Sequence, residues 1–166
     1  KDTDNIVTLI LVMSHRNDNV INHEIGQAFL PVLKHLQQEK KKGTLRGIIL
    51  TSAKKRFLAG GDLDYLYHAQ DANEIFQFAD GLKQFLRDLE SPGVPVVAAI
   101  NGDALGAGFE LALGCHHRIV IDDPKIKVGL PEVRLGLIPG SGGIIRLMWL
   151  LGIERAFDIL SSGLRY

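Results

Sequence analysis

The chain has 166 residues, 46% hydrophobic and 23% charged, and its 19 basic and 19 acidic side chains cancel to a formal net charge of zero. This is the composition of an ordinary globular domain able to hide about 70% of its unfolded surface, with no net field to draw it to nucleic acid or acidic lipid. No apolar run approaches the ~20 residues of a membrane span, the opening KDTDNIV has no signal-peptide core, and a single cysteine, Cys115, excludes an internal disulfide and reads as a small buried hydrophobe.

One domain over residues 1–166 and a cytoplasmic location are therefore expected. Ile6 to Met13 (IVTLILVM) predicts a strand, and Asn22 the N-cap of a helix with apolar residues at Ile25, Ala28, Phe29, Val32, Leu33 and Leu36. Pro31 falls inside that pattern and predicts a kink or a late start; Lys40, Lys41, Lys42 and Gly43 give it a cationic last turn and a glycine stop. The lysines belong to a solvated helix end rather than a nucleic-acid contact. Gly47 to Thr51 (GIILT) is a short buried strand leading into a loop, Ser52 to Leu63, that carries Ala59-Gly60-Gly61-Asp62-Leu63. Asn73 to Ser91 has Ile75, Phe76, Ala79, Leu82, Phe85, Leu86 and Leu89 at helical spacing, a core stripe, and Pro92-Gly93 ends it.

Val94 to Ile100 has the length of a buried strand, and Asn101-Gly102 turns it into Gly106-Ala107-Gly108. Phe109, Leu111, Ala112 and Leu113 then form a short apolar helix, so the glycine loop lies where first-turn N–H groups lack partners and the helix dipole is positive. His117 to Ile121 predicts a strand, Asp122-Asp123-Pro124 a turn, and Lys125 to Val128 another strand; Gly140 to Leu151 and Ile153 to Leu160 are closing helices. His116 and His117 are adjacent, so on a strand they face opposite ways, which argues against a shared metal. Strand–helix alternation throughout predicts an α/β fold with a mostly parallel sheet.

Glu110 stands alone as a charge between Asp103 and Arg118. A solvated acid at a helix start complements the dipole and nothing more. Between Gly108, Phe109, Leu111 and Ala112, however, a carboxyl is partly desolvated, which raises its pKa toward the range of proton transfer at neutral pH. Glu132, in Leu130-Pro131-Glu132-Val133, is a second such acid. A pair of them beside a glycine-built donor loop suits acid–base work on a substrate that develops negative charge on oxygen.

These segments carry a family resemblance. Asn101-Gly102-x-Ala104-Leu105-Gly106-x-Gly108-x-Glu110-Leu111, then Gly129-Leu130-Pro131-Glu132-Val133-x-Leu135-Gly136-Leu137-x-Pro139-Gly140-x-Gly142-Gly143, is similar to the crotonase (enoyl-CoA hydratase/isomerase) superfamily, and Phe57-x-Ala59-Gly60-x-Asp62-Leu63 resembles its oxyanion loop. Gly-Leu-Pro-Glu-Val at 129–133 looks most like the hydratase domain of multifunctional fatty-acid β-oxidation enzymes, fused to a 3-hydroxyacyl-CoA dehydrogenase.

The resemblance implies a spiral of ββα units and hydration of a trans-2-enoyl-CoA to a 3-hydroxyacyl-CoA. It implies Glu110 and Glu132 as the acid–base pair, the N–H groups of Gly61 and Ala107 as the oxyanion hole, and Ala59, Gly61, Asp62, Leu63 and Gly106 along the bound coenzyme A. Coenzyme A enters as part of the substrate; no metal and no covalently bound cofactor is implied. Lys54, Lys55 and Arg56 either face its phosphates or are simply solvated. Relatives carry further C-terminal helices and associate as trimers or fused complexes, so a chain stopping at Arg165-Tyr166 is expected to lack its last helices and to come from a longer, oligomeric parent. An isomerase working through Glu132 alone, and a non-catalytic acyl-CoA- or RNA-binding relative, remain as alternatives, the first disfavoured by Glu110. A nucleotide-binding loop is not supported, because Leu111 stands where a third glycine and Phe109 where a P-loop lysine would be needed, and Pro139 spoils Gly140-Ser141-Gly142 as a nucleophile elbow.

Overall fold

The computed structural model describes residues 1–166. Strands β1 (Ile6–Leu11), β2 (Gly47–Ser52), β3 (Val96–Ile100) and β5 (His117–Val120) form a parallel sheet in the order β1-β2-β3-β5. The register pairs Leu9 with Leu50, Leu50 with Ala98, and Ala98 with Arg118. β2 is buried or half-buried along its whole length, which is why Gly47 to Leu50 is a continuous apolar run rather than an alternation, before Thr51 and Ser52 end the strand. A shorter parallel pair, β4 (Ala104–Leu105) with β6 (Val128–Gly129), lies beyond the end of β3.

Helix α1 (His23–Lys41) joins β1 to β2, and α2 (Leu63–His68) and α3 (Ala72–Glu90) join β2 to β3. Asn22 caps α1 by accepting from the N–H of Ile25. Pro31 does not interrupt this helix: it is exposed and α1 runs on through it, because tertiary packing of Ile25, Phe29 and Leu36 outweighs one lost backbone bond. Phe29 of α1 stacks on Phe85 of α3 with ring centroids 3.8 Å apart. The stripe predicted on α3 is buried at Leu82, Phe85, Leu86 and Leu89, whereas Phe76 is exposed. Helices α4 (Ala107–Leu113), α5 (Gly143–Leu151) and α6 (Ile153–Ser162) complete the chain, with a 3-10 turn over Glu132–Leu135.

Several boundaries differ from expectation for physical reasons. Of the strand predicted over Lys125 to Val128 only Val128 pairs, and the pairing continues into Gly129, since Asp122 to Lys127 bends around its own bonds, Ile126 N–H to the Asp123 carbonyl and Lys125 N–H to the Asp123 carboxylate. α4 begins at Ala107, with Gly106 at its N-cap, so the glycine triplet is partly helix. α5 begins at Gly143 rather than Gly140, because Gly142 takes a left-handed φ of 93°. Burial pushes the Cys115 thiol up to about 12, so it is a packing group.

The core joins β1, β2 and β3 to α1, α3 and α4 through residues such as Leu50, Leu86, Ala98 and Leu111. A smaller cluster of Leu113, Leu130, Leu147 and Ala156 fastens α5 and α6 to the end of α4. Both informative loops, 53–62 and 101–106, therefore leave the C-terminal ends of neighbouring parallel strands, β2 and β3. That edge is where open α/β sheets place their ligands.

Candidate active site

The loops are joined by the Asn101 side chain and by close backbone contact. Asn101 donates its Nδ2 to the carbonyls of Ser52 (3.1 Å) and Lys54 (3.0 Å), tying the end of β3 to the end of β2. Ala104 bridges Leu58, and Leu105 N–H donates to the Leu58 carbonyl at 3.2 Å. This closeness demands glycine at two places: a Cβ on Gly102 would run into the Lys55 carbonyl, and one on Gly108 into the Leu58 carbonyl.

Gly61 follows Gly60, whose α-carbon lies 3.8 Å from where a Cβ on Gly106 would stand. The oxyanion candidates Gly61 and Ala107 are thus on facing loops, and neither N–H donates to an acceptor within the chain. The loop is held from behind. Ile21 N–H donates to Gly60 and Asp62 N–H to Ile21, at 2.8 and 2.9 Å, while Ala59 N–H donates to the Asn19 carbonyl. Asp62, predicted along coenzyme A, has its carboxylate turned inward: it is buried, pairs with Arg16 at 2.7 Å, accepts from Asn22 and caps α2. Its contribution is to shape the loop, its N–H going to the Ile21 carbonyl and its carbonyl accepting from Leu66. Leu63 is exposed and Ala59 half-buried on the same rim, and Gly106 is buried behind it. Arg56 is drawn to Asp18 and Asp103 and so is not free for a phosphate.

Glu110 is not a solvated helix-start acid. It is 1% exposed, and its Oε1 accepts from the N–H groups of Ser141 and Gly143, both at 2.8 Å, at the start of α5. The close approach explains Gly143, where a Cβ would stand 2.7 Å from Glu110 Cγ. Burial raises its pKa; the N–H bonds from Gly143 and Ser141 and the charge of Arg146 pull the other way. Glu132 opens the 3-10 turn, its Oε1 3.1 Å from where a Cβ on Gly106 would stand, which the glycine's φ of 55° also forbids. Its Oε2 is buried with no hydrogen-bond partner. Burial, with the negative charge of Glu110 adding to it, pushes its pKa up to about 7. The two carboxyl groups therefore lie close enough to interact and stand in different states: one anchored by donors, the other unpaired and able to hold its proton near neutrality.

Sequence reasoning had brought the acids and both glycine loops together but missed Ser141, Gly143 and Arg146, which build the wall behind Glu110. The available signal was Gly140 to Gly143 itself, since glycines opening a helix leave N–H donors approachable.

A sequence model described as enoyl-CoA hydratase/isomerase matches residues 2–166. Among solved structures, an enoyl-CoA hydratase from Bacillus anthracis is 31% identical with a TM-score of 0.88, the match covering 99% of this chain and 62% of that one. Enoyl-CoA hydratases from Polaromonas sp. JS666 (26% identity, TM-score 0.88, 100% of this chain and 63% of that one) and Thermoplasma volcanium GSS1 (25%, 0.88, 100% and 64%) give the same superposition. The chain thus spans less than two thirds of the length of these relatives.

Proposed function

The chain belongs to the enoyl-CoA hydratase/isomerase family and has its crotonase-type α/β fold, and from that premise we propose that it adds water across the double bond of a trans-2-enoyl-CoA. The observation that carries this reading is the pair Glu110 and Glu132, one buried and anchored, the other half-buried with an unpaired oxygen, beside two N–H groups with no acceptor of their own.

The chemistry follows from the parts. The thioester carbonyl oxygen lies between the N–H groups of Gly61 and Ala107, and attack at C3 moves the electron pair of the double bond through C2 onto that oxygen. Donors fixed in advance stabilise the resulting enolate, one such donor contributing about 3–4 kcal/mol to the barrier. Both bonds to Glu110 fall on Oε1, which leaves Oε2 for the attacking water. Glu110, ionised, takes the water proton as the oxygen bonds to C3; Glu132, protonated near neutral pH, gives its proton to C2 as the enolate collapses. One water is consumed, and a proton passing between the carboxyls restores both. Strongly interacting carboxyls titrate as a pair, so the pH–rate profile reports the pair.

Coenzyme A fits along Ala59 to Leu63, where Gly60 and Gly61 keep the backbone open to close approach. The Gly129-Leu130-Pro131-Glu132-Val133 sequence supports a place in fatty-acid β-oxidation, as the hydratase part of a multifunctional enzyme in the cytoplasm. Glu110→Gln and Glu132→Gln should each lower crotonyl-CoA hydration at least ~100-fold with the circular dichroism spectrum unchanged. Near-normal turnover in either variant would refute the two-carboxylate reading.

A further inference from the structure

Behind Glu110, on the side away from the oxyanion loop, a line of contacts runs to the far end of α3. Arg146 on α5 donates Nη1 to the Ser141 carbonyl at 2.8 Å and Nε to Glu90 Oε1 at 2.5 Å. Glu90 is the last residue of α3, so the guanidinium joins two helices distant in sequence. The Arg146 side chain is only 11% exposed, an uncommon state for arginine unless it is paired.

The Ser141 carbonyl belongs to the peptide lying between the two that donate to Glu110, those of Ser141 N–H and Gly143 N–H. Gly142 and Gly143 make room for the two ends of this arrangement. A Cβ on Gly142 would run into the Arg146 guanidinium, and a Cβ on Gly143 into the Glu110 side chain. Each glycine admits a different charged group against the same turn.

We propose that Arg146, clamped by Glu90, is a positioning residue for Glu110: it fixes the Ser141–Gly142 peptide so that the flanking N–H groups converge on one carboxylate oxygen. The proposal rests on the reading of Glu110 as a working acid–base group, and it assigns Arg146 no contact with substrate. Charged groups facing Glu110 are Glu132 from the 3-10 turn and Arg146 from α5, with Glu90 of α3 reaching it only through Arg146. Loss of Arg146 removes a cation near Glu110 and loosens its donors, and both changes favour the protonated carboxyl.

The test is a carbon-13 carboxyl NMR titration of the substrate-free protein, with the Glu110 signal assigned by its loss in Glu110→Gln. Arg146→Met should move the Glu110 titration upward by about one pH unit. Arg146→Lys keeps the charge but not the fork and should move it less, in the same direction. A cavity of ≈ 210 Å³ borders Arg146 beside Glu90, Leu113, Cys115 and Trp149, so millimolar guanidinium should partly restore the titration in Arg146→Gly. Folded variants whose melting temperature falls while the Glu110 titration stays put and guanidinium has no effect would show a packing role only, and would overturn the proposal. Should Arg146→Met fail to fold, the Arg146→Lys titration decides. The measurement needs no turnover, so absence of hydration would count against the proposed reaction and leave this result standing by itself.

Discussion

At the scale of single residues, Glu132 links the site to stability. Its carboxyl holds a proton up to about 7 in the folded chain against 4.5 for an ordinary glutamate. The folded state therefore binds more protons than the unfolded state between those values, and stability falls as pH rises through that window. Between pH 5 and 8 the wild type should lose on the order of 2 kcal/mol relative to Glu132→Gln, a figure reduced for partial exposure. Urea unfolding of both at the two pH values checks this, and parallel pH profiles would contradict it. The oxyanion loop carries a sharper contrast. Gly60 has a φ of 109° and an added Cβ would stand 3.2 Å from the Leu105 carbonyl, whereas a Cβ on Gly61 meets only Leu66 Cδ1 at 3.7 Å. Gly61→Ala should thus raise stability by about 0.4–1 kcal/mol and Gly60→Ala lower it by more than that. The space beside Gly61 admits a small side chain.

At the scale of elements, β1 and β2 are joined behind the oxyanion loop by one buried side chain. Asn19, 0% exposed, accepts from Met13 N–H and donates to the Leu11 carbonyl and to Ser52 Oγ. Its own backbone carbonyl accepts from the N–H of Ala59, two residues before Gly61 in the loop. Asn19→Ala leaves Met13 N–H without its acceptor in a dry setting, while the Leu11 carbonyl keeps Ala53 N–H and Ser52 Oγ keeps Lys54 N–H and the Arg56 carbonyl; it should cost about 1–3 kcal/mol, read from the denaturation midpoint, and a loss within a few tenths would show that the fold does not depend on it. No periodicity announces such a residue, since a buried amide in a loop has no pattern. Strands, long helices and the acids were legible because burial imposes spacing on apolar residues and because a lone charge among glycines stands out. β4 and α2 were not, and β6 only as the end of a longer expected strand, being two to six residues long and held by tertiary bonds.

At the scale of the whole molecule, the sheet sets two glycine loops side by side, and α5 supplies the donors that turn a buried acid into an anchored one. The outer sides of α5 and α6 stay apolar in solvent, with Ile145, Trp149, Ile153 and Phe157 at 50%, 81%, 66% and 67% exposure. The sequence marks these as closing helices; apolarity shows which face gains from cover, and geometry decides whether it is covered. The central claim is that Glu110 and Glu132 together add water, rather than move a proton or merely hold a thioester. Incubation of a trans-2-enoyl-CoA with the protein in oxygen-18 water and, separately, in deuterium oxide, followed by mass spectrometry, tests it most directly. The account predicts a 3-hydroxyacyl-CoA with oxygen-18 at C3 and one deuterium at C2, and neither label in Glu110→Gln or Glu132→Gln. Deuterium incorporated without oxygen-18, as a double-bond isomerase would give, or substrate returned unlabelled, would contradict it.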